Sequence, residues 1–146
     1  MQTYESEIKV ISKPQELVFN MLSDLSNLEK VKTLNIEGRE KAEEFFKEVE
    51  FDSDTLHFTV PAVGRVGFRV IERDPFKTIK LEAISSPVAA NGWIQLVKID
   101  DETCKMKLTI KAELPMMIKM MVDSKMKKGV DKIADAIVMA VSAGEQ

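Results

Sequence analysis

The chain has 146 residues, 45% apolar and 31% charged, the balance of a globular protein of one domain. It is long enough to bury about two thirds of its unfolded surface, and no run of about 18 apolar residues suits a bilayer-spanning helix. A net charge of -3 and nine aromatic residues in all leave no basic stripe for phosphates, so nucleic acid is excluded as the expected partner.

Tyr4, Ser6, Ile8 and Val10 alternate with Thr3, Glu5, Glu7 and Lys9, which predicts one opening strand with a covered face. Pro14 then opens a short helix whose Leu17, Val18, Met21 and Leu22 share a side, and Ser23-Asp24 caps a second one through Leu25 and Leu28. From Lys30 to Lys47 the pattern is a loop with a helical turn or two. Glu37 to Glu50 alone carries six acidic and three basic residues, which equals the whole charge imbalance.

From Phe46 onward the period becomes that of strands. Phe46 to Phe51 turns at Asp52-Ser53-Asp54 into Leu56, Phe58 and Val60. Val66, Phe68 and Val70 follow on one face of a longer strand, with Arg65, Arg69 and Arg73 on the other. Asp74-Pro75 turns into Ile79, Leu81 and Ala83, and Ser85-Ser86-Pro87 breaks the chain again. Asn91 to Ile99 and Met106 to Ala112 are joined by Asp100-Asp101-Glu102. Such short turns favour antiparallel neighbours.

The last third is one helix, with Pro115 at its first position and Gly144 just past its end. It has about 28 residues and a length of roughly 42 Å. Ile118, Val122, Met126, Gly129, Ile133, Ile137 and Ala140 form its core stripe, and Lys119, Asp123, Lys127, Asp131 and Asp135 the opposite one. Met116, Met117, Met120 and Met121 surround its first two turns; they fill an irregular core, line a cavity or meet another subunit. Gly129 permits either a bend or a close approach to the sheet. The fold class is therefore α+β, with an antiparallel sheet, curled by its twist, that needs the terminal helix as its cover.

In this order the chain resembles the helix-grip superfamily, which includes the birch-pollen allergens, START lipid-transfer domains and polyketide cyclases. The residues that carry the resemblance are the opening strand with Pro14-Gln-Glu-Leu-Val-Phe-Asn-Met-Leu-Ser-Asp-Leu, the strand and turn Val70-Ile-Glu-Arg-Asp-Pro-Phe-Lys-Thr-Ile-Lys-Leu, and the helix from Pro115. Together they span nearly the whole of residues 1–146, a small bacterial-type single-domain member. The resemblance implies a curved sheet gripping the terminal helix, with two short helices after the first strand. Between sheet and helix it implies a cavity for a lipid, a polyketide or another small apolar molecule.

The expected cavity wall is Phe58, Val60, Phe68, Val70, Leu81, Ile94, Leu96, Leu108 and Ile110 from the sheet and Met117, Met121, Val122 and Met126 from the helix, with Leu34 at the mouth. Catalytic chemistry is not expected. His57 is out of phase with Leu56 and Phe58, Cys104 has no second histidine to activate it, and neither a metal site nor a cofactor fingerprint is present. Ser6, Glu72 and Lys98 are the polar groups expected on or near the covered face. The alternative to ligand binding is an interaction module with a filled cavity, its methionines or Trp93 meeting a partner or a second copy in a homodimer; a cyclase or hydrolase stands third. The single cysteine and the lack of a basic, apolar amino terminus make a cytoplasmic location the expectation.

Overall fold

A computed structural model of the chain describes residues 2–32, 50–60, 64–86 and 88–143. In chain order the elements are β1 (Gln2–Glu5), β2 (Lys9–Ile11), α1 (Gln15–Leu22), a 3-10 helix (Leu25–Lys32), β3 (Glu50–Phe51), β4 (Thr55–Val60), β5 (Gly64–Asp74), β6 (Thr78–Ala83), β7 (Ala90–Lys98), β8 (Cys104–Ala112) and α2 (Met116–Ala143). All strands pair antiparallel in one sheet of order β1-β8-β7-β6-β5-β4-β3, with β2 also on β8. This is the helix-grip arrangement, with the long terminal helix against a curved sheet.

The turns form where side chains can replace water. The Asp100 carboxylate accepts the Glu102 N–H at 2.8 Å and the Thr103 hydroxyl at 2.6 Å, which closes the β7–β8 hairpin. In the Asp74-Pro75-Phe76-Lys77 turn Phe76 has φ 66°, a left-handed conformation that few bulky residues adopt. An edge-on ring contact with Phe19 at 5.6 Å and a hydrogen bond from the Gln15 side chain to the Phe76 carbonyl help hold it there.

The single opening strand expected from Tyr4 to Val10 is instead two. Glu5 pairs with Thr109 but Lys9 with Met106, so one residue is extra on the first strand, and the bulge moves every later side chain to the other face. Tyr4, Ser6 and Ile11 are therefore buried, while Ile8 and Val10 are 62% and 60% exposed. Glu72 and Lys98 also lie in the open rather than on the covered face, Glu72 just past a register shift between Val70 and Glu72.

The bulge carries the groups that fasten α2. The Tyr4 hydroxyl donates to Asp123 at 2.7 Å, the Glu7 N–H to Asp131 at 3.0 Å, and the Lys9 ammonium meets Asp131 and Asp135 at 3.0 and 2.9 Å. Asp131 and Asp135 thus face the first strands, whereas the sequence placed them on a solvent stripe. Burial, then the Asp123 carboxylate, pushes the Tyr4 phenol up to about 12. Burial pulls Lys9 down, but its two carboxylates outweigh that and leave it raised. The Glu7 N–H, then Lys9, holds Asp131 below the usual carboxylate range, and Tyr4, then Lys127, does the same for Asp123.

A depressed carboxyl adds stability that is present above its unfolded pKa of about 3.9 and is lost as pH falls through the folded value. Thermal melts are thus expected to hold level from about pH 7 to 5 and to drop below about pH 4. Asp131→Asn should flatten part of that drop while lowering the melting temperature at neutral pH. An acid profile identical to the parent's would show that the clasp does not contribute.

Of the two uses expected of Gly129, a bend or a close approach to the sheet, the structure speaks to the second. Apart from its own stretch of helix, no described atom lies within 4 Å of where its Cβ would be, so close packing is not its role. In a helix interior glycine costs about 0.5–1 kcal/mol relative to alanine. Gly129→Ala is expected to raise stability by that amount, measured by urea denaturation; a loss would reveal a backbone requirement at this turn.

Candidate functional site

The alternation of β4 to β8 turns one set of apolar side chains toward α2, and the pairing puts them in rows. Gly92 lies between Leu81 and Ile110, Ile94 opposite Leu108, and Leu56 opposite Phe68. The Phe58 and Phe68 rings lie nearly parallel, 5.9 Å apart between centroids. Leu25 and Leu28 of the 3-10 helix, Phe51 of β3, and Ile133 and Ile137 of α2 complete the enclosure. The space between them is a cavity of about 60 Å³.

Every described residue of the lining is apolar or glycine. Four waters would need roughly this volume at about 15 Å³ each, and no described residue of the lining offers them a polar side chain. A ligand hydroxyl or amine buried against these residues would find no side-chain partner among them, at a cost of about 1–3 kcal/mol. The described lining is that of an apolar surface.

The structure brings Phe58, Phe68, Leu81, Ile94, Leu108 and Ile110 of the expected wall to the cavity. It does not bring the others. Val70, Leu96 and Val122 are buried outside the lining, and Met126 is half-buried against the core. Met117 and Met121 are 78% and 59% exposed, because the cavity lies under the second half of α2 while the first two turns stand clear of the sheet. Leu34 and the Val60 side chain lie outside the described residues.

Sequence reasoning missed Leu25, Leu28, Phe51, Leu56, Gly92, Ile133 and Ile137. Gly92 had a usable signal, since glycine inside a strand often marks a close approach by something else. It is also the position where the absent side chain makes room. A Cβ there would meet only ordinary contacts, the Thr109 carbonyl oxygen at 3.8 Å and Leu81 Cδ1 at 3.9 Å.

Among the described residues, the groups with catalytic potential lie away from this space. Cys104 is buried at the start of β8, and burial pushes its thiol up, away from the thiolate that a nucleophile needs. His57 crosses Gly67 on the outer face, so close that a Cβ at Gly67 would meet its ring at 2.6 Å. Ser6 is buried, yet it accepts the Leu108 N–H at 3.0 Å and donates to the Glu7 carbonyl at 2.8 Å, which uses it up in the bulge. Several basic groups of the outer sheet face are engaged too. Arg65 pairs with Glu50 at 3.2 Å, Arg73 with Asp54 at 2.6 Å and the Ser23 carbonyl at 2.8 Å, and Lys80 and Lys111 each lie 5.6 Å from the Trp93 ring. No group of three or more potential metal ligands occurs among the described residues.

A curved antiparallel sheet gripping a long terminal helix over an apolar hollow defines a protein of the helix-grip superfamily. Within it, the chain belongs to the CoxG family, named for a carbon monoxide dehydrogenase subunit, whose family model matches residues 8–144. Solved structures similar to it include a norcoclaurine synthase point mutant from Thalictrum flavum in complex with a transition-state analogue, with TM-score 0.70, 16% identity, and 99% of this chain and 96% of that one covered. The Zhui aromatase/cyclase from Streptomyces sp. R1128 gives TM-score 0.62 and 14% identity over 96% and 93% of the chains. A START superfamily protein from Mycobacterium smegmatis gives 0.58 and 11% over 95% and 96%. At these identities the likeness is one of fold. No match was found among curated protein sequences. Among the described residues no helix is long and apolar enough to cross a membrane.

Proposed function

We propose that the protein binds a small apolar molecule between the sheet and α2, and that the part of the ligand it encloses is unfunctionalised hydrocarbon. The observation that carries this reading is the lining itself: twelve apolar side chains and Gly92, with no hydrogen-bonding side chain among the described residues. Apolar contact supplies the affinity, at about 25 cal/mol for each Å² buried. Most small-molecule sites have volumes of about 300–1,000 Å³. A space of about 60 Å³ takes only a slender chain, or opens further when the side chains around it move. A lipid tail fits that description better than a polyhydroxylated polyketide. A polar head would stay at the mouth, in reach of solvent.

A second reading draws on the same small volume and on the family name, which speaks of a dehydrogenase component. In it the cavity is filled and the protein acts by binding a partner protein or a second copy. An enzymatic role is the weakest of the three, because the described lining offers neither acid nor base. Native mass spectrometry of the freshly purified protein, followed by extraction, separates them. A stoichiometric adduct with a long hydrocarbon tail supports the proposal, and a clean apo mass after expression in a lipid-rich host, with no uptake of added fatty acid, overturns it.

A further inference from the structure

The sheet has a second face, which the cavity does not use. Gly92 and Ile94 of β7 turn toward α2, so Trp93, Gln95 and Val97 turn outward. The pairing then sets Lys105 of β8 between Val97 of β7 and Val10 of β2, and both valines are 60% exposed. Ile8, 62% exposed, joins Val97 in lining an open groove of about 640 Å³. Four lysines line it with them, Lys77, Lys98, Lys105 and Lys107, and among the described residues of the lining none is acidic. Lys98 and Lys107 reach Asp101 and Glu5 at 3.1 and 3.2 Å, whereas Lys77 and Lys105 have no ion-pair partner among the described residues. In a chain of net charge -3 this groove is thus a positive site with apolar side chains between its charges.

We propose that the groove docks an extended, acidic segment of a partner protein, its carboxylates on the lysines and its apolar side chains over Ile8 and Val97. Charge complementarity sets the sign, since a lining with four cations attracts an acidic segment and repels a basic one. A second copy docked by the same face is disfavoured, because a two-fold contact sets each patch against itself and would bring lysines to lysines. An inorganic anion would satisfy the lysines but leave Ile8 and Val97 uncovered, and a flat bilayer does not fill a recess. Trp93 extends the surface. It lies two residues from Gln95 of the groove on the same outer face, half-buried, with Lys80 and Lys111 each 5.6 Å from its ring, and tryptophan is a common anchor of protein interfaces. The groove and the hydrocarbon cavity lie on opposite sides of the sheet, so docking does not require the cavity to be occupied.

The test is fluorescence anisotropy of a labelled peptide of alternating glutamate and leucine, titrated with the full chain beside a peptide with glutamine in place of glutamate. The glutamate peptide is expected to bind, the glutamine peptide to bind at least about ten-fold more weakly, and about 1 M salt, where screening acts within about 3 Å, to release the first. Lys77→Glu with Lys105→Glu should weaken binding about ten-fold, the worth of two exposed ion pairs and their reversal. Ile8→Thr with Val97→Thr should weaken it several-fold while thermal melts stay close to the parent's, since threonine keeps the branched shape that strands favour. The proposal is overturned if the glutamate peptide is not bound, if the glutamine peptide binds equally, or if both double variants bind like the parent. Release of the peptide by inorganic phosphate, at an ionic strength where chloride releases none, would overturn it in favour of a small-anion site. Light scattering that shows a dimer dissolved by the threonine variant would overturn it in favour of a second copy.

Discussion

Truncating Ile79 to alanine is expected to lower the free energy of unfolding by about 2–5 kcal/mol, the range for removing a large aliphatic side chain from a packed core. Ile79 is fully buried in β6, opposite Ile94 of β7, and it does not line the cavity. Its loss leaves a void that its neighbours cannot fill without leaving their own rotamers, so the cost includes a cavity as well as lost transfer energy. Ile94→Ala, one strand away, removes the same atoms from a wall that already faces open space. Both variants should lose stability in urea denaturation, but only Ile94→Ala should admit a bulkier hydrocarbon. A loss below about 1 kcal/mol at Ile79 would show that this part of the core is not close-packed.

The order of elements was legible because it depends on periodicity, and periodicity survives wherever a face is buried. Phe58, Phe68, Leu81, Ile94, Leu108 and Ile110 alternate with polar neighbours, so the sheet's concave face could be read residue by residue. The bulge after Glu5 was not legible. Tyr4, Ser6, Ile8 and Val10 alternate without interruption, and what breaks them is the pairing of Ser6 and Lys9 with particular residues of β8, a tertiary fact. The side of the cavity formed by α2 was misplaced for a related reason. A helical stripe tells which face turns inward, not how far along the axis the sheet begins to cover it. Met117 and Met121 were chosen for chemical type, whereas the side chains that reach the hollow, Ile133 and Ile137, are about three to six turns further on. Leu25, Leu28 and Phe51 join only through tertiary packing, which a short 3-10 helix and a two-residue strand do not announce in sequence.

Gly92→Val is expected to separate binding from folding more cleanly than any change in the wall. Gly92 lies in the interior of β7 with no steric or conformational requirement of its own: its φ is not in the left-handed region, and an added Cβ would meet nothing closer than 3.8 Å. Glycine at such a place weakens a strand through its backbone entropy and its missing packing, while valine is among the residues that pleated sheets favour, a difference of up to about 1 kcal/mol. The melting temperature should therefore hold or rise. The three carbons of the new side chain would stand between Leu81 and Ile110, in the hollow itself, and should displace whatever hydrocarbon occupies it. Truncations such as Ile94→Ala cannot show this, since they lower stability and alter binding together. Were Gly92→Val to keep its adduct at the parent's stoichiometry in native mass spectrometry, the ligand would lie elsewhere. Were it to lose fold and adduct together, the glycine would be a requirement of the sheet, and the room it leaves would be no sign of a guest.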